Sequence, residues 1–210
     1  DGDIAVDKFL TSKIKTLTPD IPIISEETVN INSKINNKSF WLIDPIDGTR
    51  DYIAKKDEYT LNAGLIIDLQ PVAGLIYAPE KNRLFFSYGK ELSFEINNGQ
   101  KIILNCSNKD KKEIIGLENS GITPPEVLNI YKKYNVTKTI KMSSSLKFCV
   151  IAAGEADIYA AKPRAFEWDI AAGHAILENA GGTVRKQDGS TFLYGKEKFK
   201  NLDITAKGKI

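Results

Sequence analysis

Histidine is almost missing from this chain: 210 residues contain one, His174. A metal centre or proton relay built on imidazoles needs more than that, so His174 reads as packing within a helix. Cysteine is nearly as scarce. Cys106 and Cys149 stand far apart and form no CxxC motif. Nothing in the sequence forbids a bridge between them, but two separated thiols beside apolar neighbours read as reduced, buried side chains of a cytoplasmic protein. An excess of one charge is missing too. Lys and Arg number 29 against 27 Asp and Glu, a formal charge of +2, so no field invites nucleic acid or a membrane surface. Any strongly acidic site must therefore be a local concentration. No apolar run approaches a membrane span, and no signal-peptide pattern, internal repeat or low-complexity tract occurs.

What remains is an ordinary globular composition, 42% apolar and 27% charged. Apolar residues at Ile4, Phe9, Leu10, Ile14 and Leu17 predict a helix from Asp3, ended by Thr18-Pro19-Asp20. Ile21–Ile24 predicts a short strand whose Pro22 suits an edge or an irregular start. Phe40–Ile43 predicts a second. Thr60–Ile67, Val72–Tyr77, Arg83–Tyr88 and Lys101–Leu104 follow as an antiparallel meander between turn-forming stretches. The run Lys109–Lys112 reads as a solvated turn.

Beyond it, strands and helices alternate. Strands are expected at Ile114–Leu117, Thr139–Met142, Asp157–Ala160, Thr183–Arg185 and Asp203–Ala206. Helices are expected at Pro125–Tyr134, Leu146–Ala153 and Ile170–Ala180. The composite is an α+β front half, 1–105, joined to an α/β-like back half, 106–210.

Both early strands run into acids: Ser25-Glu26-Glu27 after the first, Asp44-Pro45-Ile46-Asp47-Gly48-Thr49 after the second. If Pro45-Ile46 makes a turn, Asp44 and Asp47 face one point, and Thr49 opens a helix whose first amides suit a phosphate oxygen. The same hexapeptide also reads as a plain turn with an N-capping aspartate. Asp169 and Asp3, each at a helix start, have that bland reading as well. Should these acids converge, their repulsion requires cations, and oxygen ligands without imidazole or thiolate favour magnesium.

Glu26-Glu27, Asp44–Thr49 and Trp168-Asp169-Ile170-Ala171-Ala172-Gly173 together resemble the signatures of the inositol monophosphatase-like, lithium-sensitive phosphatases, and the resemblance spans essentially the whole chain. Leu17–Asp20, Ile24–Glu27, Gly74–Pro79, Ser144–Cys149 and Ala171–Ala175 are most similar to the branch of bacterial CysQ-type 3′(2′),5′-bisphosphate nucleotidases. The resemblance implies a layered α-β-α-β-α sugar-phosphatase-like fold. It implies two or three magnesium ions held by the carboxylates of Glu26, Asp44, Asp47 and Asp169 and the carbonyl of Ile46. It places Asp47, Gly48 and Thr49 at the scissile phosphate. It pairs Asp3 with Thr49 at the attacking water, with in-line displacement and no covalent intermediate. It places Ser144 and Lys147 at a second phosphate.

That branch removes the 3′-phosphate of adenosine 3′,5′-bisphosphate or of its sulfated relative; inositol or fructose phosphates are the alternative substrates, and a non-catalytic metal- or nucleotide-binding protein is the reading from another class. Two departures stand out. Ala161 occupies the place of the branch's arginine, with Arg164 or Lys162 as candidate substitutes, and the family's first helix is expected to be cut short, leaving Asp3 of its Thr-x-x-Asp motif.

Overall fold

The computed structural model describes residues 2–32, 35–106 and 112–210. Among the described residues there are five α-helices and twelve strands, and the strands form two sheets. In the first, β1 (Ile23–Ser25), β2 (Phe40–Asp47), β3 (Thr60–Ile67), β4 (Gln70–Ala78), β5 (Arg83–Ser87), β6 (Ser93–Asn97) and β7 (Gln100–Ile103) lie side by side in chain order. β1 runs parallel to β2, and all later neighbours are antiparallel. The second sheet, ordered β11-β12-β10-β8-β9, is built from β8 (Ile115–Glu118), β9 (Lys138–Lys141), β10 (Ile158–Ala161), β11 (Thr183–Arg185) and β12 (Ile204–Lys207). Its strands are parallel at β8/β9 and β8/β10 and antiparallel elsewhere.

Side-chain alternation assigns the layers. On β1 and β2, Ile24, Phe40 and Leu42 enter the main core, whereas Ser25 and Trp41 bond to α1 (Gly2–Leu17) through Asp7 and Thr18. On β10, Tyr159 and Ala161 join the main core, while Ile158 and Ala160 pack with Val127 and Tyr131 of α3 (Pro125–Lys133). α4 (Leu146–Ala152) and α5 (Ala171–Asn179), both buried along their length, fill the space between the sheets. The stack is α1, sheet, α4 with α5, sheet, α3, which is the layered order expected from the resemblance. A side chain at Gly64 or Gly74 would collide with Ala171 or Ala172, so two bare positions on β3 and β4 let α5 lie directly on the first sheet.

β6 was absent from the expected meander. Its short run Ser93-Phe94-Glu95-Ile96-Asn97 carries a charge at its centre, and Glu95 is buried only because Arg83 of β5 grips it at 2.6 and 3.1 Å while also reaching Glu155. Most other bounds differ from expectation by a residue or two. Residues 109–111 of the lysine-rich run lie outside the described residues. Both cysteines are free and buried, and among the described residues no helix is long and apolar enough to cross a membrane.

His174 packs on α5 as expected, against the rings of Phe192 and Tyr194, which also touch each other. Tyr194 Oη lies 2.9 Å from Nδ1, Glu178 Oε1 lies 3.5 Å from Nε2, and Arg185 also donates to Glu178. Burial lowers the His174 pKa, so the folded protein keeps the ring neutral where an unfolded chain takes up a proton. Burial raises Glu178, but His174 and Arg185 outweigh it and bring the carboxyl down to about 2. Both shifts oppose acid. The histidine contribution fades as pH falls below 6.5, and the glutamate contribution fades from 4.5 towards 2. A thermal-melt series from pH 7 to 5 therefore falls less steeply for His174→Leu than for the parent; parallel slopes would refute this account.

Candidate active site

The two aspartates of the hexapeptide meet through a bulge rather than a turn. Asp44 to Asp47 continue β2, with Asp44 opposite Asn62 and Asp47 opposite Thr60 on β3. Three steps on one strand against two on the other insert one residue. Positions three apart on a regular strand face opposite sides. With the extra residue, Asp44 and Asp47 sit opposite Asn62 and Thr60, which share a face. Asp44 Oδ1 accepts from the Ile46 amide at 3.0 Å, which fixes the carboxylate against its own backbone. Gly48 then takes φ 93° in a place where a side chain would crowd the Glu58 carbonyl, and Thr49 starts α2 (Thr49–Ile53).

Parallel pairing of β1 with β2 supplies the third acid. The Glu26 amide donates to the Ile43 carbonyl, so Glu26 leaves its strand beside Asp44, within hydrogen-bonding reach of it. Glu27 is exposed beside it. Asp169 comes from the second half of the chain. Its Oδ2 accepts from the Phe166 amide at 2.8 Å, and the segment before it is pinned by Glu167, fully buried and bonded to the Gly195 and Lys196 amides at 2.9 and 3.0 Å. Carboxylate oxygens of Glu26, Asp44 and Asp169 all lie within 4.8 Å of one another.

Such crowding has the expected electrostatic result. Burial and the Asp47 charge push Asp169 up to about 8. Burial, then Asp47 and Asp169, hold Asp44 well above the ordinary carboxyl range, and burial raises Glu26. Asp47 is raised by burial as well, although Lys147, the Ser145 amide, Asn62 and Arg164 pull it back.

Asp47 lies in the wall of a cavity of about 430 Å³ whose lining includes Thr49, Ser144, Lys147, Arg164 and Asp169. Lys147 is buried on the first turn of α4; its Nζ donates to the Met142 carbonyl at 3.2 Å and sits 5.1 Å from the Tyr159 ring centre. Burial draws that ammonium down to about 8, against the pull of Asp47. Of the two candidate substitutes for the missing arginine, Lys162 pairs with Glu126 at 3.4 Å, whereas Arg164 acts on Asp47, Lys147 and Tyr159. Ala161 is buried in the same lining.

Asp3 lies one turn before Asp7, which anchors α1 to Ser25, and its charge reaches Glu26. Among the described residues no hydrogen bond joins Asp3 to Thr49; the Thr49 hydroxyl donates to the Ile46 carbonyl at 3.1 Å. Residues absent from the expected set also face the site. The Ser145 amide donates to Asp47, Ser145 Oγ bonds to both Thr60 and Asn62, and the Ser143 amide donates to Glu58 at 2.8 Å. Thr60 and Asn62 had one legible signal: two polar residues spaced by two in an otherwise apolar strand.

The donor set is oxygen only, tightly grouped and short of counter-charge, which fits a hard divalent cation and does not fit zinc or copper. Without a cation the cluster destabilises the fold. Asp169→Asn keeps the acceptor for the Phe166 amide and removes a carboxyl whose ionisation burial and Asp47 oppose, so the metal-free protein should gain roughly 0.5–2 kcal/mol and lose its thermal response to magnesium. A metal-free variant no more stable than the parent would show that repulsion is not the cost.

The inositol monophosphatase family model matches residues 1–206. A 3′(2′),5′-bisphosphate nucleotidase CysQ of Buchnera aphidicola is 37% identical over 196 residues, covering 92% of this chain and 73% of that protein. The CysQ of Salmonella typhimurium is 33% identical over 203 residues, covering 95% and 81%. Among solved structures, CysQ from Bacteroides thetaiotaomicron, a bacterial member of the inositol monophosphatase family, superposes with a TM-score of 0.82 at 25% identity, covering 95% of this chain and 82% of that one. Matches of this length and identity place the chain within the inositol monophosphatase family.

Proposed function

We propose that the chain is a magnesium-dependent phosphomonoesterase that removes the 3′-phosphate of adenosine 3′,5′-bisphosphate or of 3′-phosphoadenosine 5′-phosphosulfate. The observation that carries this reading is the oxygen-only cluster of Glu26, Asp44 and Asp169 beside Asp47, opening on a cavity that also holds the cations Lys147 and Arg164. The names of the CysQ relatives supply the substrate class. Glu26, Asp44, Asp47 and Asp169 would hold two or three magnesium ions through their carboxylates, and Ile46 through its carbonyl. Magnesium in such a site neutralises phosphate charge, lowers the pKa of water and stabilises the leaving oxygen.

The chain's own groups supply position and proton transfer. Gly48 and Thr49, at the start of α2, offer amides to the scissile phosphate. Thr49 donates its hydroxyl proton to Ile46, which leaves oxygen lone pairs to orient the attacking water. A threonine hydroxyl is too weak a base to deprotonate water, so that task falls to Asp3 on the first turn of α1. Attack is direct, with no covalent intermediate.

Ser144, Lys147 and Arg164 form the second-phosphate subsite. Lys147 uses one of its three donors on Met142 and keeps the others for substrate. An arriving phosphate would hold its ammonium protonated, offsetting the burial that draws it to about 8. Ala161 favours a second reading on the same machinery, inositol or fructose phosphate hydrolysis, because it leaves that part of the lining uncharged. A cytoplasmic setting suits the first.

Phosphate release with magnesium, measured side by side on adenosine 3′,5′-bisphosphate, inositol 1-phosphate and fructose 1,6-bisphosphate, should favour the first. Preference for either of the others would sink the nucleotidase assignment, and release from none would favour a binding protein. Separately, Asp47→Asn should abolish turnover while far-UV circular dichroism and melting temperature stay near those of the parent. Turnover within a few-fold of the parent would remove Asp47 from the cation set.

A further inference from the structure

Behind Asp47 lies a buried polar group that core packing does not call for. Thr60, Asn62 and Ser145 are 0%, 0% and 2% exposed. Ser145 Oγ lies 2.7 Å from Asn62 Oδ1 and 2.8 Å from Thr60 Oγ1. A flipped amide would turn Asn62 Oδ1 toward Asp47, whose ionised form Asn62 stabilises, so Oδ1 faces Ser145; with one proton on each hydroxyl, Thr60 then donates to Ser145 and Ser145 to Asn62. With Oδ1 occupied, the orientation of the Asn62 amide is fixed, and its Nδ2 remains, buried and without a hydrogen-bond partner. A buried donor left unmade is costly, and such groups in native proteins call for an explanation.

Its surroundings provide one. Asp47 stands across from Thr60 on the facing strand, and Asn62 is among the groups that stabilise its ionised form. Among the described residues the Ser145 amide is the one backbone donor on that carboxylate, and a second donor closing on it would stop it turning about that bond.

We propose that Asn62 is the positioning residue for Asp47. The bonds from Thr60 through Ser145 aim its Nδ2 so that it closes on the Asp47 carboxylate as the other carboxylate oxygen turns to a divalent cation. Two donors, from Ser145 and Asn62, then fix which oxygen faces the cavity. This rests on the metal-dependent phosphatase reading above. Thr60 and Asn62 belong to the first sheet and Ser145 to the residue before α4, so the same bonds hold the two halves of the chain in register at the point where the cation binds.

The test is a magnesium titration of Asn62→Leu, which removes the donor and keeps most of the volume. Outer groups of this kind alter metal affinity by about 10–100-fold. The magnesium concentration giving half-maximal thermal stabilisation should rise about tenfold or more, and that for half-maximal activity should rise with it. The KM for adenosine 3′,5′-bisphosphate at saturating magnesium should stay within about threefold, because Asn62 itself does not line the cavity and bound magnesium restores the Asp47 position. If Asn62→Leu does not fold, Ser145→Ala carries the test, since it breaks the aim of Asn62 yet keeps the backbone amide on Asp47. A smaller shift in the same direction is then expected. A folded variant with the parent's magnesium midpoint, or with only its KM changed, would overturn the proposal. A parent that gains no thermal stability from magnesium would overturn the phosphatase reading itself, and this inference with it.

Discussion

Like charges held close together, with Asp44 shut away from water, are the constraint on which this structure turns. Glu26, Asp44 and Asp169 bring carboxylate oxygens within 4.8 Å, and Asp47 adds its charge from beside them. No hydrophobic gain recommends that arrangement, and desolvation makes it worse. It survives because each acid is held by something that does not depend on the others. The Ile46 amide holds Asp44, the Phe166 amide holds Asp169, the Ser145 amide holds Asp47, and strand pairing carries Glu26. Strain of this kind is stored at functional sites and balanced by packing elsewhere.

The balancing contacts are spread through the fold. α5 lies flat on β3 and β4 because Gly64 and Gly74 are bare, and Asp169 stands just before that helix. Buried Glu167 ties the preceding residues to the Gly195–Lys196 backbone. Asp7, buried on α1, bonds to Ser25 and brings the helix that carries Asp3 up to the acidic strand ends. The distance in sequence between Asp44 and Asp169 therefore matters little. What fixes their separation is a helix pressed onto a sheet.

Much of this was legible in the residues. Periodicity located the helices and most strands, with β3 and β11 matching to the residue, and acids following apolar strands pointed to the site. Three things were not legible. β6 hides behind Glu95, whose burial makes sense only once Arg83 stands beside it. No local pattern announces the parallel sense of β1, and without it the place of Glu26 stays open. The hydrogen bonds of Ser143 and Ser145 join residues 83 to 98 positions apart, and no local pattern announces such partners. Sequence reading finds groups that must be charged or apolar for their own reasons; it is blind to groups whose value lies in what they touch.

The bulge in β2 is a matter of counting. A strand alternates like odd and even numbers, and Asp44 and Asp47 are one of each. Their meeting on one face depends on a single surplus residue between them. Substitutions within Pro45-Ile46 can alter fit while leaving that count intact. Deleting either residue would yield a tidier sheet, with every pair in phase and both aspartates still present. They would then stand two apart and still share a face, but the bend that the surplus residue gives the strand would be gone. The proposed site thus depends on the shape of a strand as much as on its letters, and a comparison of relatives by identity alone would weigh the letters and overlook the shape.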